Sequence, residues 1–141
     1  MYDCNRSLVG AACGFGHETA THAVLLMLSR LFDRHSDLPV VIGHLGEALP
    51  FLLPRLGAAE RTVMKYFTSN VALTTSGHLD TKALTHTIST IGSDRVLFSA
   101  DHPYESMDEA ATWFDATPLN RNAADRIGRL DAAELLRIPT A

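Results

Sequence analysis

Apolar positions along this chain follow two alternating rhythms. One is helical, and the other consists of short unbroken runs that end in polar residues. Ala20, Ala23, Val24, Met27, Leu28, Leu31 and Phe32 recur at helical spacing, which predicts an amphipathic helix. It should end near His35, ahead of Leu38-Pro39, because the residue before a proline resists helical geometry. Pro39-Val40-Val41-Ile42-Gly43 then runs into His44, and Asn70-Val71-Ala72-Leu73 into Thr74-Thr75-Ser76. Arg95-Val96-Leu97-Phe98-Ser99-Ala100 runs into Asp101. Near-continuous apolar runs are what strands buried on both faces look like.

Between the runs the helical rhythm returns. After His44, Gly46 and Glu47 open a stretch through Leu49, Leu52, Leu53 and Leu56, with Pro50 tolerable only in its first turn. Asp80 can cap a helix carrying Leu84, Ile88 and Ile91, which Gly92 would end. Ser106-Met107-Asp108-Glu109 has the form of a capping box ahead of Ala110, Trp113 and Phe114. A second box, Asp131 to Glu134, starts a last short helix through Leu135 and Leu136. Residues 1–16 read as an irregular lead-in, since Gly10, Gly14 and Gly16 discourage a helix. The order is helix, strand, helix, strand, helix, strand, helix, helix. The strands recur at about the length of a βαβ unit. This predicts a single α/β domain, residues 1–141, with three parallel strands and flanking helices. Three strands cannot close a barrel.

Composition narrows the function classes. The 141 residues suit one domain, with 46% hydrophobic and 20% charged residues, the balance of a soluble globular protein. A net charge of −4 offers no basic footprint for nucleic acid or anionic membranes. No apolar stretch approaches the roughly 20 residues a membrane helix needs, and Met1 to Arg6 is too polar for a signal peptide. Cys4 and Cys13 lack CxxC spacing and give neither a disulfide framework nor a zinc knuckle. A reducing cytoplasm is the expected compartment.

Chemistry in a barrel of parallel strands gathers at the C-terminal strand ends, which directs attention to His44 and Asp101. A histidine there can bind a metal, or act as acid–base with its other nitrogen oriented by a carboxylate such as Glu47. Alternatively it caps a strand end while Glu47 sits in a helix's first turn, where carboxylates are favoured anyway. An aspartate following a buried strand must be paired, metal-bound or at a cleft, unless it merely turns the chain before Pro103. His17 and Glu18 read as a helix start. His35, His78 and His86 read as solvated surface, and His102 as pointing aside. Arg55 could face a substrate carboxylate or belong to the surface. No GxSxG, P-loop or GxGxxG occurs.

Five ordered blocks together resemble a known family. They are Gly14-Phe15-Gly16-His17-Glu18-Thr19-Ala20-Thr21-His22-Ala23, Leu31-Phe32-Asp33-Arg34-His35, Ile42-Gly43-His44-Leu45-Gly46-Glu47, Thr74-Thr75-Ser76-Gly77, and Phe98-Ser99-Ala100-Asp101-His102-Pro103-Tyr104-Glu105-Ser106. They resemble the amidohydrolase-2 (amidohydrolase-related) group, most of all its γ-resorcylate and 2,3-dihydroxybenzoate decarboxylases, over nearly everything from Gly14 to Ile138. The resemblance implies the C-terminal half of a (β/α)8 TIM barrel. It implies a metal-dependent, non-oxidative decarboxylation of a small aromatic acid, with a divalent zinc or manganese ion. By resemblance, Asp101 is the metal-binding aspartate of the last strand and takes part in protonating the ring. His44 is the active-site histidine, Glu47 its carboxylate partner, and Arg55 an arginine near the substrate.

The family's first-strand acid/His-x-His motif and its fifth-strand histidine have no counterpart here. One aspartate and one histidine fall short of the three or four ligands a divalent site needs. The chain alone is therefore expected to be inactive and to hold metal weakly or not at all. A metal-dependent hydrolase of the same superfamily is the alternative chemistry. A truncated, non-catalytic assembly module is the alternative of another class. Val41, Leu73 and Leu97, or their alternating neighbours, are expected on the inner face of the sheet. Its exposure predicts a homo-oligomer.

Overall fold

The structure, a computed structural model, describes residues 5–139. The readings that touch Cys4 and the first residues of the chain lie outside that range. The chain divides into two compact units. One holds the described part of Met1–Leu38 together with Gly46–Asn70, and the other holds Pro39–Leu45 and the described part of Val71–Ala141.

The first unit is helical. Helix α1 spans Gly14–Leu28 and α2 spans Leu31–Arg34. The predicted amphipathic helix thus breaks before His35, because Arg30 adopts left-handed geometry at φ 58°. It also starts inside the predicted lead-in, after a short 3-10 turn at Arg6–Leu8. Gly14 explains the start: a Cβ there would lie 2.0 Å from the Val9 carbonyl oxygen, so this glycine permits a close approach rather than discouraging a helix. Helix α3, Leu49–Ala59, carries Pro50 in its first turn as expected, and tolerates Pro54 as well.

Sequence reading missed α4, Arg61–Asn70, because only Glu60 separates it from α3. Its buried stripe of Val63, Tyr66 and Phe67 helps build the unit's core with Met27, Phe32, Leu49 and Leu53. The rings of Phe32 and Tyr66 stack tilted at 5.3 Å. The Tyr66 hydroxyl donates to the Asp33 carboxylate, and this bond raises the tyrosine pKa, with burial adding to it. Asn70 is buried because its side chain is used: Nδ2 donates to the carbonyls of Ser36 at 2.8 Å and Leu38 at 3.1 Å.

The second unit holds the sheet. Strands β1 (Val40–Ile42), β2 (Val71–Thr74) and β3 (Val96–Leu97) run parallel in the order β1-β2-β3. Helix α5, Thr81–Ile91, starts where predicted: Asp80 accepts from the Ala83 N–H at 2.7 Å, and Gly92 ends the helix at φ 90°. Helix α6, Met107–Ala116, is likewise capped by Ser106, which accepts from the Glu109 N–H. Helix α7, Arg121–Asp125, was not predicted; Asn120 caps it. A π-helical turn, Arg126–Leu130, joins it to α8, Asp131–Leu136.

The proposed box at Asp131 is a correction. Leu130 stands at the cap, and the Asp131 side chain is buried beside the Arg126 guanidinium. Leu45, Leu84, Val96 and Ile127 form the buried centre of this unit, with Phe98, Trp113 and Phe114 packed around them.

The register corrects the expected inner face. Val41 pairs with Ala72, and Leu97 with Thr74, while Leu73 pairs with Ile42 and Val96. Because side chains alternate along a strand, Val41, Ala72, Thr74 and Leu97 share one face, and Leu73 lies on the other. Of the three named residues, Val41 is 48% exposed, whereas Leu73 and Leu97 are buried.

Candidate functional site

Three loops leave the C-terminal ends of the three strands, and each turns through left-handed backbone. His44, Leu45, Gly46 and Glu47 have φ between 52° and 77°, Gly77 has φ 59° and Asp101 has φ 67°. Left-handed geometry costs an ordinary residue roughly 1–2 kcal/mol, and consecutive residues in it are uncommon. Strain of this kind persists where the surroundings enforce it, and it clusters at functional sites. Periodicity carries no signal for such turns. Gly46 and Glu47 therefore read as a helix start, whereas α3 begins only at Leu49.

The strained loops bring two of the predicted residues together. A Cβ built on Gly77 would lie 2.7 Å from His44 Nδ1, 2.8 Å from its Cε1 and 3.0 Å from Asp101 Oδ2. The imidazole and the carboxylate therefore close on one point at the C-terminal end of the sheet, separated by no more than the sum of two such distances. Only glycine leaves that space open. Both residues are half-buried, so neither belongs to the core.

The segment after β2 ties this arrangement down. Ser76 Oγ accepts from the His44 N–H at 3.3 Å and shares a hydrogen bond with Thr74 Oγ1 at 2.8 Å. Thr75, fully buried, donates from Oγ1 to the Ser99 carbonyl at 2.8 Å and accepts from the Ser99 N–H at 2.9 Å. Beyond Asp101 the chain folds back, and the Asp101 carbonyl accepts from the N–H groups of Tyr104 at 2.9 Å and Glu105 at 3.1 Å. Gly77, Ser76 and Thr75 were not singled out as site residues from sequence. The signal was a run of small polar residues at a strand end.

Glu47 belongs to the first unit, where its carboxylate presses on α1: a Cβ on Gly16 would lie 2.6 Å from Oε2. Arg55 is exposed on α3 of the same unit. His102 is exposed and precedes Pro103 through a cis peptide bond. His17 accompanies the start of α1, its Nδ1 lying 3.0 Å from the Cys13 carbonyl oxygen. His35 is exposed, but His78 and His86 are half-buried rather than fully solvated.

Two donors do not make a metal centre. Among the described residues no group of three or more His, Cys, Asp or Glu side chains is arranged to hold a metal ion. Measured against the three or four ligands such an ion requires, the residues present do not fit a complete site. Among the described residues, no helix is long and apolar enough to cross a membrane.

Comparison with known proteins adds identity to this geometry. The sequence profile of the amidohydrolase family matches residues 7–138. Gamma-resorcylate decarboxylase of Rhizobium sp. (strain MTP-10005) is 39% identical over the whole chain, and that of Rhodococcus jostii is 39% identical over 98% of it. The chain spans about half the length of these relatives, 47% and 46%. Among solved structures, 2,6-dihydroxybenzoate decarboxylase from Rhizobium superposes with a TM-score of 0.92 at 39% identity, over 97% of this chain and 46% of that one. A dihydroxybenzoic acid decarboxylase from Polaromonas sp. JS666, with bound manganese and the inhibitor 2-nitroresorcinol, superposes with a TM-score of 0.93 over 99% of this chain and 46% of that one, again at 39% identity.

Proposed function

Because the chain belongs to the amidohydrolase family, we propose that it is the C-terminal half of a non-oxidative aromatic acid decarboxylase, contributing His44 and Asp101 to the active site. The observation that carries this reading is the convergence of His44 and Asp101 over Gly77. It is joined to the 39% identity with gamma-resorcylate decarboxylases.

The substrate class is a small aromatic carboxylic acid bearing a hydroxyl beside the carboxylate. The reaction forms a C–H bond at the ring carbon and breaks the bond from that carbon to the carboxylate. The electron pair of the broken bond returns to the ring, and carbon dioxide leaves. Asp101 supplies the proton to the ring carbon. The His44 imidazole, facing the same space, holds Asp101 and the substrate's polar groups in place. Proton delivery by a positioned group contributes about 10²–10⁴-fold to rate. Glu47 and Arg55 are assigned by family resemblance alone, as a carboxylate partner and as an arginine near the substrate. The solved relative with bound manganese supports a divalent ion in the complete enzyme. This chain's described residues bring two donors, so the remaining ligands come from the other half of the barrel.

Hydrolysis of an amide or lactone is the competing chemistry within the family. The two are separated by product. The chain, co-expressed with the complementary half of a gamma-resorcylate decarboxylase, is given 2,6- and 2,3-dihydroxybenzoate in buffer containing manganese. Release of carbon dioxide together with the corresponding dihydric phenol supports the reading. A soluble assembly that leaves both acids untouched while hydrolysing an ester or lactone panel defeats it.

A further inference from the structure

We propose that Thr75 is a positioning residue: through the backbone of Ser99, its hydroxyl sets where the Asp101 carboxylate stands relative to the His44 ring. The inference rests on the proposed function for the roles of His44 and Asp101, but not for the geometry.

The β2–β3 ladder is short. The two strands pair Leu73 with Val96 and Thr74 with Leu97, and the Thr75 N–H adds a last bond to the Leu97 carbonyl at 3.0 Å. The third strand then turns away from β2. The Phe98 N–H donates to the Ile127 carbonyl in the π-helical turn at 2.8 Å. This explains why β3 is shorter than its apolar run predicts.

At Ser99 the Thr75 side chain takes over. One hydroxyl accepts from the Ser99 N–H and donates to the Ser99 carbonyl, at 2.9 and 2.8 Å. It satisfies both backbone groups of a residue the sheet no longer pairs. Asp101 turns left-handed two residues beyond this clamp after β3, and Gly77 two residues beyond it after β2. The clamp therefore fixes both walls of the space that His44 enters. Ser76, next to Thr75, takes the His44 N–H, so a single strand end holds all three loops.

Threonine suits this task. Its branched side chain is stiff at χ1, and Thr75 is fully buried, so the hydroxyl has a fixed direction. Valine keeps the shape and removes the hydroxyl. Serine keeps the hydroxyl and removes the methyl.

The test is NMR on the 141-residue chain. It follows the proton contact between the His44 ring and the Gly77 α-carbon, together with amide exchange at Ser99. In Thr75→Val, Ser99 exchange should accelerate at least tenfold and the His44–Gly77 contact should be lost, while Leu73 and Val96 stay protected. Thr75→Ser should restore both signals. A wild-type-strength contact in Thr75→Val, or its absence from the wild type, overturns the proposal. Should Thr75→Val not fold, Thr75→Ser decides alone. Preserved contact and Ser99 protection support the hydroxyl, and their loss shows that the methyl group matters instead. None of these signals depends on which reaction the complete enzyme catalyses, so failure of the decarboxylase reading registers separately, as absent carbon dioxide release.

Discussion

The His44 imidazole and the Asp101 carboxylate share one small space, each within 3.0 Å of the point where a side chain on Gly77 would begin. They come from the ends of the two outer strands, and the middle strand supplies the glycine between them. Replacing that glycine is the sharpest way to disturb the pair. Gly77→Ala meets left-handed backbone, costing about 1 kcal/mol or more, and its methyl displaces the ring or the carboxylate. In an assembly with the complementary half, a misplacement of this kind lowers kcat on the order of 10²-fold. Steady-state kinetics beside a thermal melt would check it: an alanine variant with unchanged kcat shows that the pair tolerates separation.

The chain by itself should bind manganese or zinc weakly and turn over neither 2,6- nor 2,3-dihydroxybenzoate. The reason is the donor count, one imidazole and one carboxylate at the Gly77 space against the three or four a site needs. Equilibrium dialysis followed by metal analysis reads this directly. Stoichiometric metal retained by the chain, and released by Asp101→Asn, would contradict it.

Much of this arrangement was legible in the sequence, and the illegible parts have physical causes. The three apolar runs located the strands, and Asp80, Gly92 and Ser106 marked helix ends correctly because capping is a local interaction. The polar residues at strand ends pointed to His44 and Asp101. Helix α4 was missed because it follows α3 with one residue between them, so no run of turn residues announced a boundary. Arg30 broke the long helix through a left-handed backbone that arginine's identity does not advertise. Gly77 and Thr75 do their work through distances across the sheet, which no spacing along the chain encodes.

Asp131 gives the second unit a definite pH response. Burial raises its pKa above the ordinary aspartate value; the nearby Arg126 guanidinium opposes this, while Asp94 and Glu134 add to the rise. A carboxyl whose folded pKa is raised binds its proton more tightly when folded. Its contribution to stability is therefore fully present below the ordinary value of about 3.9, and is lost as pH rises through the raised folded value. Urea midpoints of the wild type, relative to the non-titrating Asp131→Asn, should accordingly improve as pH falls from neutral through that range. A difference that is flat with pH, or of opposite slope, would show that Arg126 fully compensates the charge.

Self-association should depend on the β1 edge. Among the described residues β1 pairs with β2 alone, and Val41 is exposed on the face it shares with Ala72, Thr74 and Leu97. An open edge with an apolar side chain invites pairing with another chain, and a lysine there discourages it. Sedimentation at micromolar concentration should show association in the wild type and less in Val41→Lys. A monomeric wild type that melts cooperatively and binds no hydrophobic dye would contradict the expectation.

Whether this chain brings the proton-delivering half of a decarboxylase site is tested most directly by reconstitution. The chain is co-assembled with the complementary half of a gamma-resorcylate decarboxylase. Carbon dioxide release from 2,6-dihydroxybenzoate is then followed for the wild type and for Asp101→Asn at matched assembly. Manganese-dependent release is expected, falling at least about 10²-fold in the variant, the scale of a lost general acid. Equal release from both assemblies would contradict it, because the reaction would then proceed without the carboxylate that Gly77 makes room for.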